Sequence, residues 1–248
     1  ETVVQVLHEP NRKAKTDSRM WVYCTDKSAD RYIALFDYSP TRNGDNAVKF
    51  LGEYSGYVVC DGFDGYNKLE KATRCGCWAH ARRKFVEALP TDKALLSTST
   101  AANGVNLINE LYAIERSFDE MKPEEKHKQR QERLKPALDA FFSWLETIIV
   151  SSETKLSKAV NYVLNEKKYL YRFLESPYIS IDNNRAENAI RPFVVGRKNW
   201  LFSNSQNGVM ASALIYSLAV TACANDMNVE EYFYRLLTSD MPVLPWDE

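Results

Sequence analysis

The spacing of apolar positions changes along this chain, and each change predicts a different kind of element. Over the first 36 residues they come in short β-branched or aromatic runs, at 3–7, 20–24 and 32–36. Turn residues separate the runs, Glu9-Pro10-Asn11-Arg12 and Thr25-Asp26-Lys27-Ser28. Three consecutive short strands in an antiparallel meander are expected. From Asn43 the spacing becomes helical, with Ala47, Val48, Phe50, Leu51 and Tyr54 on one face. Residues 57–60, Tyr-Val-Val-Cys, are nearly all apolar and end at Asp61-Gly62, which suits a buried central strand. A strand reached through a helix should lie parallel to its neighbour by a right-handed crossover. A helix over 65–71 and a short strand over 73–77 complete the first part.

Between residues 90 and 178 strand signals fade and long helical patterns cover 105–118, 124–149 and 156–174. The stretch 122–135 is almost wholly polar with alternating sign, which reads as a solvated face. Leu138, Phe141, Phe142, Trp144 and Leu145 read as core. Residues 97–100 read as a loop. After Pro177 the mixed character returns. Residues 179–181 form a candidate extended piece, and Asn184 starts a helix that Pro192 is expected to end or kink. Residues 200–202 are candidate strand. Residues 209–224 form a strongly apolar helix predicted to bury Leu214, Ile215, Leu218, Ala219 and Cys223, and 229–237 form a last short helix.

The chain has 248 residues, enough for one well-cored domain with an insertion or for two small domains. With 45% hydrophobic and 26% charged residues, a soluble globular protein is expected. No apolar run approaches the roughly 20 residues that span a bilayer, so no membrane partner is expected. The start lacks the basic and small-residue signals of a secretory leader, and no Met opens the chain, which reads as a fragment. Five cysteines, an odd number without such a leader, predict reduced thiols and a cytoplasmic setting. The net charge is −1, weak attraction for a polyanion. A nucleic-acid role would need basic residues gathered on one face or a separate basic module, and both are expected.

Three constellations carry candidate chemistry. Asp61 ends a buried strand and is followed by Gly62, where α/β folds place ligand-binding groups. A carboxylate there is a hard oxygen ligand suited to Mg²⁺. It can equally cap the following turn, although Asp64 is better placed as the helix cap. Glu187 lies in the polar stretch Asp182-Asn-Asn-Arg-Ala-Glu-Asn-Ala-Ile-Arg191-Pro192. There it is a candidate ligand, and Asn184-x-x-Glu187 also fits a capping box. Cys75, Cys77 and His80 lie within six residues, but structural zinc wants four ligands in two separated pairs, so the pattern argues against zinc. The alternative is a buried thiol at Cys77, with His80 facing a phosphate or metal site. Arg82, Arg83 and Lys84 would then cover phosphates, or else form an ordinary solvated face.

Asp61-Gly-Phe-x-Gly-Tyr66-Asn67, Cys75-Gly-Cys-Trp-Ala-His80-Ala-Arg-Arg-Lys-Phe85, Asp182-Asn-Asn-x-Ala-Glu187-Asn-x-Ile-Arg191-Pro192 and Gly196-Arg-Lys-Asn-Trp200-Leu-Phe202 come in one order. Together they resemble the insertion sequence 66 family of transposases. The resemblance implies a ribonuclease-H-like α/β fold, a mixed sheet flanked by helices with a largely helical insertion. Residues 1–89 and 179–248 would form the catalytic core and 90–178 the insertion. It implies an Asp-Asp-Glu triad in which Asp61 is the second Asp and Glu187 the Glu, supported by Cys77 and His80. The first Asp would sit one position before Glu1. Asp37 is a conceivable substitute, but its strand lies two places from the first, roughly 10 Å away.

Two Mg²⁺ or Mn²⁺ ions, about 3.5–4 Å apart, would cut DNA and then join the 3′ end to a target. Arg82, Arg83, Lys84, Arg185, Arg191, Arg197 and Lys198 are the candidate DNA contacts. DNA, as element ends and target, is the implied partner, with a homo-oligomer when active and companion proteins of the same element. The alternatives are a structure-specific nuclease and a non-catalytic or domesticated DNA-binding module on the same fold.

Overall fold

The three apolar runs at the start are strands in the computed structural model, which describes residues 1–247. They are β1 (Thr2–His8), β2 (Asp17–Cys24) and β3 (Ala34–Ser39). Helix α1 (Asp45–Leu51), strand β4 (Tyr57–Cys60), a 3-10 turn (Asp64–Lys68), strand β5 (Thr73–Gly76) and helix α2 (Trp78–Glu87) follow. The helical stretch comprises α3 (Lys93–Leu96), α4 (Thr100–Arg116), α5 (Pro123–Gln129), α6 (Lys135–Glu146) and α7 (Lys155–Tyr171). Last come α8 (Asn184–Trp200), β6 (Ser203–Ser205), α9 (Gln206–Ala224) and α10 (Val229–Thr238). The chain divides into two compact units, Glu1–Asn46 with Asn184–Glu248, and Ala47–Asn183.

The first unit is built on a four-stranded sheet in the order β3-β2-β1-β6. The meander is antiparallel, with Thr2 opposite Met20 and Trp21 opposite Asp37, as expected. Strand β6 lies parallel to β1, with Val6 opposite Ser203. Alternation along β1 buries Val4 and Val6, which join Met20, Ala34 and Phe36 in one apolar cluster. Ala189, Ile190 and Phe193 of α8 and Val209 and Ala213 of α9 close that cluster.

Four expectations change here. Strand β4 is not hydrogen-bonded into the meander sheet: it pairs in parallel with β5 alone, in a two-stranded sheet. The place beside β1 is taken by β6, whose Ser-Asn-Ser sequence carries no apolar signal. The predicted strand at 200–202 gives way because α8 runs to Trp200 and Leu201 takes a positive φ of 62°. Pro192 does not end α8. It is exposed, so the carbonyl it deprives of a partner faces water, while Ala189, Ile190 and Phe193 hold the helix on its other side. That packing outweighs the ~3 kcal/mol that an interior proline costs.

The fourth change is the orientation of α9. Its buried positions are Val209, Ala213, Ser217 and Thr221, a stripe at i+4 spacing, with Ala222 beside its end, whereas Leu214 and Ile215 are 62% and 54% exposed. Cys223 is exposed as well. The cause is the edge of β3. The Phe36 N–H donates to Ser217 Oγ at 2.8 Å and the Ala34 N–H to Thr221 Oγ1 at 3.0 Å. Asn225 accepts from the Tyr32 N–H at 3.3 Å and returns a bond to the Tyr32 carbonyl at 2.7 Å. Four helical residues rise about 6.0 Å and two strand residues about 6.6 Å, so side chains at i, i+4 and i+8 meet alternate strand amides. The hydroxyls therefore face inward and cover an edge that would otherwise present unpaired backbone groups. This helix has 19 residues and a mean hydropathy of 1.5, long and apolar enough by length and composition to cross a membrane. Ser212, Ser217 and Thr221 interrupt its apolar residues, so no uninterrupted apolar run marks it in the sequence.

The second unit places β4 and β5 against helices. Trp78, Phe85, Phe141 and Phe142 are among its largest buried rings, and Trp78 and Phe141 meet edge to face at 5.5 Å. The Trp78 indole N–H donates to the Leu170 carbonyl at 2.9 Å. Helix α4 approaches α2 at Gly104, where an added Cβ would lie 2.4 Å from the Phe85 ring. Residues Arg130–Leu134 form a π-helical turn between α5 and α6, just before Pro136, whose ring disfavours a regular preceding turn. This turn carries the fully buried Arg130. Its guanidinium makes two bonds to the Glu115 carboxylate, at 3.0 and 2.5 Å. It also donates to the carbonyls of Phe173, Ser176 and Ile179 at 2.7, 2.6 and 2.9 Å.

Burial alone would raise the Glu115 pKa, but Arg130 and Lys126 outweigh it and hold the carboxyl below its ordinary value. Its contribution to stability is therefore present above the unfolded value, about 4.3, and lost as pH falls through the lower folded value. Acidification below about pH 4 should lower the melting temperature of the wild type more than that of Glu115→Gln. Glu115→Leu, which leaves Arg130 buried and unpaired, should cost about 3–5 kcal/mol in denaturant titration. In the first unit, Thr221→Val keeps the shape of the side chain but removes the partner of the Ala34 N–H. A loss of about 1–3 kcal/mol is expected, with concentration-dependent aggregation by light scattering as the β3 edge is uncovered.

Candidate active site

Asp61 follows β4 directly, at the carboxyl end of a strand that pairs in parallel with β5. One of its carboxylate oxygens accepts the Phe63 N–H at 3.1 Å. That is an Asx turn, in which the side chain takes over a backbone role. Asp61 therefore caps its own turn, whereas the 3-10 turn beginning at Asp64 has Phe63 as its N-cap and no side-chain cap.

Two groups from elsewhere in the second unit fix this strand end. The Arg74 guanidinium donates to the Asp61 carbonyl at 3.2 Å, to the Glu166 carboxylate at 2.6 Å and to Asn67 Oδ1 at 2.5 Å. It lies 4.1 Å from the Tyr169 ring centre. Burial raises the Glu166 pKa, Arg74 opposes this, and the nearby Asp64 and Asp61 charges raise it further. The ring of Tyr162 lies against Gly62, where an added Cβ would stand 2.6 Å from Cε2 and 2.9 Å from the hydroxyl. Arg74, Tyr162 and Glu166 escaped the sequence reading. Two of them had a signal: a charge inside the four-residue strand Thr73–Gly76, and an acid at Glu166 on the buried face of α7.

Cys77 is the N-cap residue of α2. Its thiol donates to Asn183 Oδ1 at 3.0 Å and accepts the Asn183 N–H at 3.4 Å. Next to it, the Trp78 N–H donates to the Ile181 carbonyl at 3.1 Å. Between these two contacts, Asp182 Oδ2 accepts the Tyr112 hydroxyl of α4 at 2.8 Å. Burial pushes the Cys77 and Cys75 thiols up to about 12. Cys75 faces the Thr73 carbonyl at 3.8 Å. Burial therefore favours the protonated form of both thiols. His80 is half-buried on α2 and lies 3.3 Å from the Arg83 guanidinium.

Glu187 belongs to the first unit, in the first turn of α8, where its charge complements the helix dipole. Asn184 is already helical, one residue earlier than the capping-box reading required. Asp61, Cys77, His80 and the basic residues of α2 belong to the second unit. The candidate DNA contacts divide by their partners. Arg82 donates to Asn109 Oδ1 at 2.7 Å, and Lys84 lies 5.8 Å over the Tyr162 ring. Arg185 stacks 4.2 Å from the Tyr32 ring centre, and Arg197 donates to Thr2 Oγ1 at 3.1 Å and to the Val3 carbonyl. These four help hold the fold. Arg83, Arg191 and Lys198 are exposed.

The family profile described as "Transposase IS66 family" matches residues 1–211. The chain belongs to this transposase family. Two curated relatives come from Sinorhizobium fredii (strain NBRC 101917 / NGR234). "Uncharacterized protein y4hP" is 29% identical over 94% of this transposase-family chain and 47% of its own length. "Uncharacterized protein y4qI" is 28% identical over 96% of the chain and 46% of its own length. The chain thus spans about half the length of the curated relatives it matches. No solved structure matches it.

The family implies a divalent metal. Asp61 and Glu187 are half-buried carboxylates, hard oxygen donors of the type Mg²⁺ uses, so their chemistry fits. Among the described residues, no group of three or more His, Cys, Asp or Glu side chains is assembled to hold an ion. The fit therefore rests on the type of donor and on where Asp61 sits in its strand.

The packing at Gly62 gives a direct test of the site's construction. Gly62→Ala should displace the Tyr162 ring and cost about 1–3 kcal/mol. The same change made in a Tyr162→Ala background should cost distinctly less, and a double-mutant cycle measures the difference.

Proposed function

We propose that this chain is the catalytic region of a transposase that cuts and joins DNA on a ribonuclease-H-like core, with Asp61 and Glu187 among its metal-binding acids. The observation that carries this reading is the placement of Asp61. An antiparallel meander of three strands is followed by a helix and then by a short apolar strand, and that strand ends on an anchored carboxylate. Family membership over residues 1–211 supports the reaction class, and DNA is its substrate. A homo-oligomer and companion proteins of the same element belong to the same proposal, as does a cytoplasmic setting.

Each acid has a defined task. Asp61, oriented by its Asx turn and by Arg74 on its carbonyl, offers one oxygen to a cation while the other holds the turn. Glu187 presents its carboxylate from the first turn of a helix whose opposite face is packed on the sheet. A bound Mg²⁺ or Mn²⁺ would activate the attacking hydroxyl and stabilise the leaving oxygen. Arg83, Arg191 and Lys198 are the exposed cations for phosphate contact, which positions DNA without reading its sequence.

The test is cleavage and joining of element-end DNA by the complete gene product, with Asp61→Asn and Glu187→Gln as variants. Losing groups that merely support a metal ligand costs roughly 10–100-fold. Losing a ligand should therefore lower cleavage by at least about 100-fold, with melting temperatures near that of the wild type. Full cleavage by both variants would refute the assignment. Cutting without joining would mark a nuclease, and binding without either a non-catalytic module.

A further inference from the structure

Two phenols from the helical stretch touch the segments next to the two proposed acids. Tyr112, on α4, is half-buried and donates its hydroxyl to Asp182 at 2.8 Å. Asp182 lies five residues before Glu187 and leads into α8. Its neighbours on both sides are also held, Ile181 by the Trp78 N–H and Asn183 by the Cys77 thiol. Tyr162, on α7, covers Gly62, the residue after Asp61, with its ring edge and its hydroxyl packed against the space a Cβ would fill. Neither tyrosine was signalled by the sequence, and both pack against the apolar core of this unit.

We propose that Tyr112 and Tyr162 are positioning residues for the metal-binding acids, Tyr112 for the segment that starts the Glu187 helix and Tyr162 for the turn that presents Asp61. This inference rests on the assignment of Asp61 and Glu187 as metal-binding acids. The physical argument concerns conformational freedom. Mg²⁺ demands near-ideal octahedral geometry, so a carboxylate on a loosely held turn binds it poorly. Both acids sit near element ends, where chains fray most easily; the Tyr112 hydroxyl ties one such segment by a hydrogen bond, and the Tyr162 ring edge and hydroxyl pack over the other. Burial, followed by the Asp182 charge, raises the Tyr112 pKa. Burial, followed by the charges of Glu166, Cys77 and Asp61, raises that of Tyr162. Both phenols therefore keep their protons. The helical stretch thereby acquires a role in the reaction beyond occupying space between two parts of a core.

Tyr112→Phe and Tyr162→Phe remove the hydroxyls and keep the rings. In the complete gene product, each should weaken Mn²⁺ binding, read by calorimetry without DNA, by about 10-fold. The Mg²⁺ concentration for half-maximal cleavage should rise by a similar factor, while the rate at saturating Mg²⁺ changes little. Amide exchange should quicken at residues 61–63 in Tyr162→Phe and at 182–188 in Tyr112→Phe. Unchanged Mn²⁺ affinity in both variants would overturn the proposal. So would a loss of affinity matched by an equal loss of folded protein, because the hydroxyls would then be merely structural. If Tyr162→Phe fails to fold, Tyr112→Phe decides the outcome. Asp61→Asn separates the two levels of the argument. If it abolishes Mn²⁺ binding while the tyrosine variants do nothing, only the positioning role fails. If it leaves binding intact, the acid assignment fails and this inference with it.

Discussion

The guanidinium of Arg130 has no access to solvent, and it must find acceptors for its donors within the protein, because an unpaired buried charge costs several kcal/mol. It finds them on two segments that are far apart in sequence. Glu115 lies on α4, and Phe173, Ser176 and Ile179 follow one another in the turns between α7 and Asp182. A π-helical turn aims the side chain inward, α4 brings the carboxylate, and the chain after α7 turns its carbonyls toward the charge. Three residues beyond Ile179, the Tyr112 and Cys77 contacts take over. The path of the chain toward Asn184 thus depends on one buried cation being satisfied.

In the first unit a similar requirement acts on the backbone. The outer edge of β3 has amides and carbonyls that no strand pairs, and α9 supplies Ser217, Thr221 and Asn225 in register with them. Satisfying that edge sets the helix rotation. Once the hydroxyls point inward, Met210, Leu214 and Ile215 must point outward. An apolar helix with its aliphatic residues in solvent looks like an error of patterning, but it follows from giving hydrogen bonds priority over burial. Unmade bonds at a buried edge cost more than a few exposed methyl groups.

Around Asp61, fixed geometry comes from contacts that cross the sequence. Arg74 ties the strand end to Glu166, and Tyr162 closes over Gly62. Gly62 therefore matters for the absence of a Cβ, and its φ is not positive. Several cations that looked suited to DNA have internal partners. Arg82 bridges α2 and α4, and Arg197 ties α8 to β1. Basic residues near a motif can thus be fasteners of the fold, and exposure separates these from the cations that face solvent.

The sequence by itself determined the meander, the helices α1, α4, α6, α7 and α9, the strand ending at Asp61, and the family. Each of these rests on local periodicity or on contiguous motifs, which a chain carries without reference to its fold. It also marked Asp61, Cys77 and Glu187 as residues of interest, but not the partners that hold Asp61 and Cys77. Tertiary structure alone decided that Ser203–Ser205 becomes a strand, because pairing with β1 needs backbone groups and no apolar signal. It alone carried α8 through Pro192, since packing on one face outweighed a local cost. It turned α9 so that hydroxyls rather than leucines are buried, and it brought Tyr112 to Asp182 and Tyr162 to Gly62. All four outcomes depend on hydrogen bonds or contacts between residues distant in sequence, and no local pattern of polarity encodes where such partners lie.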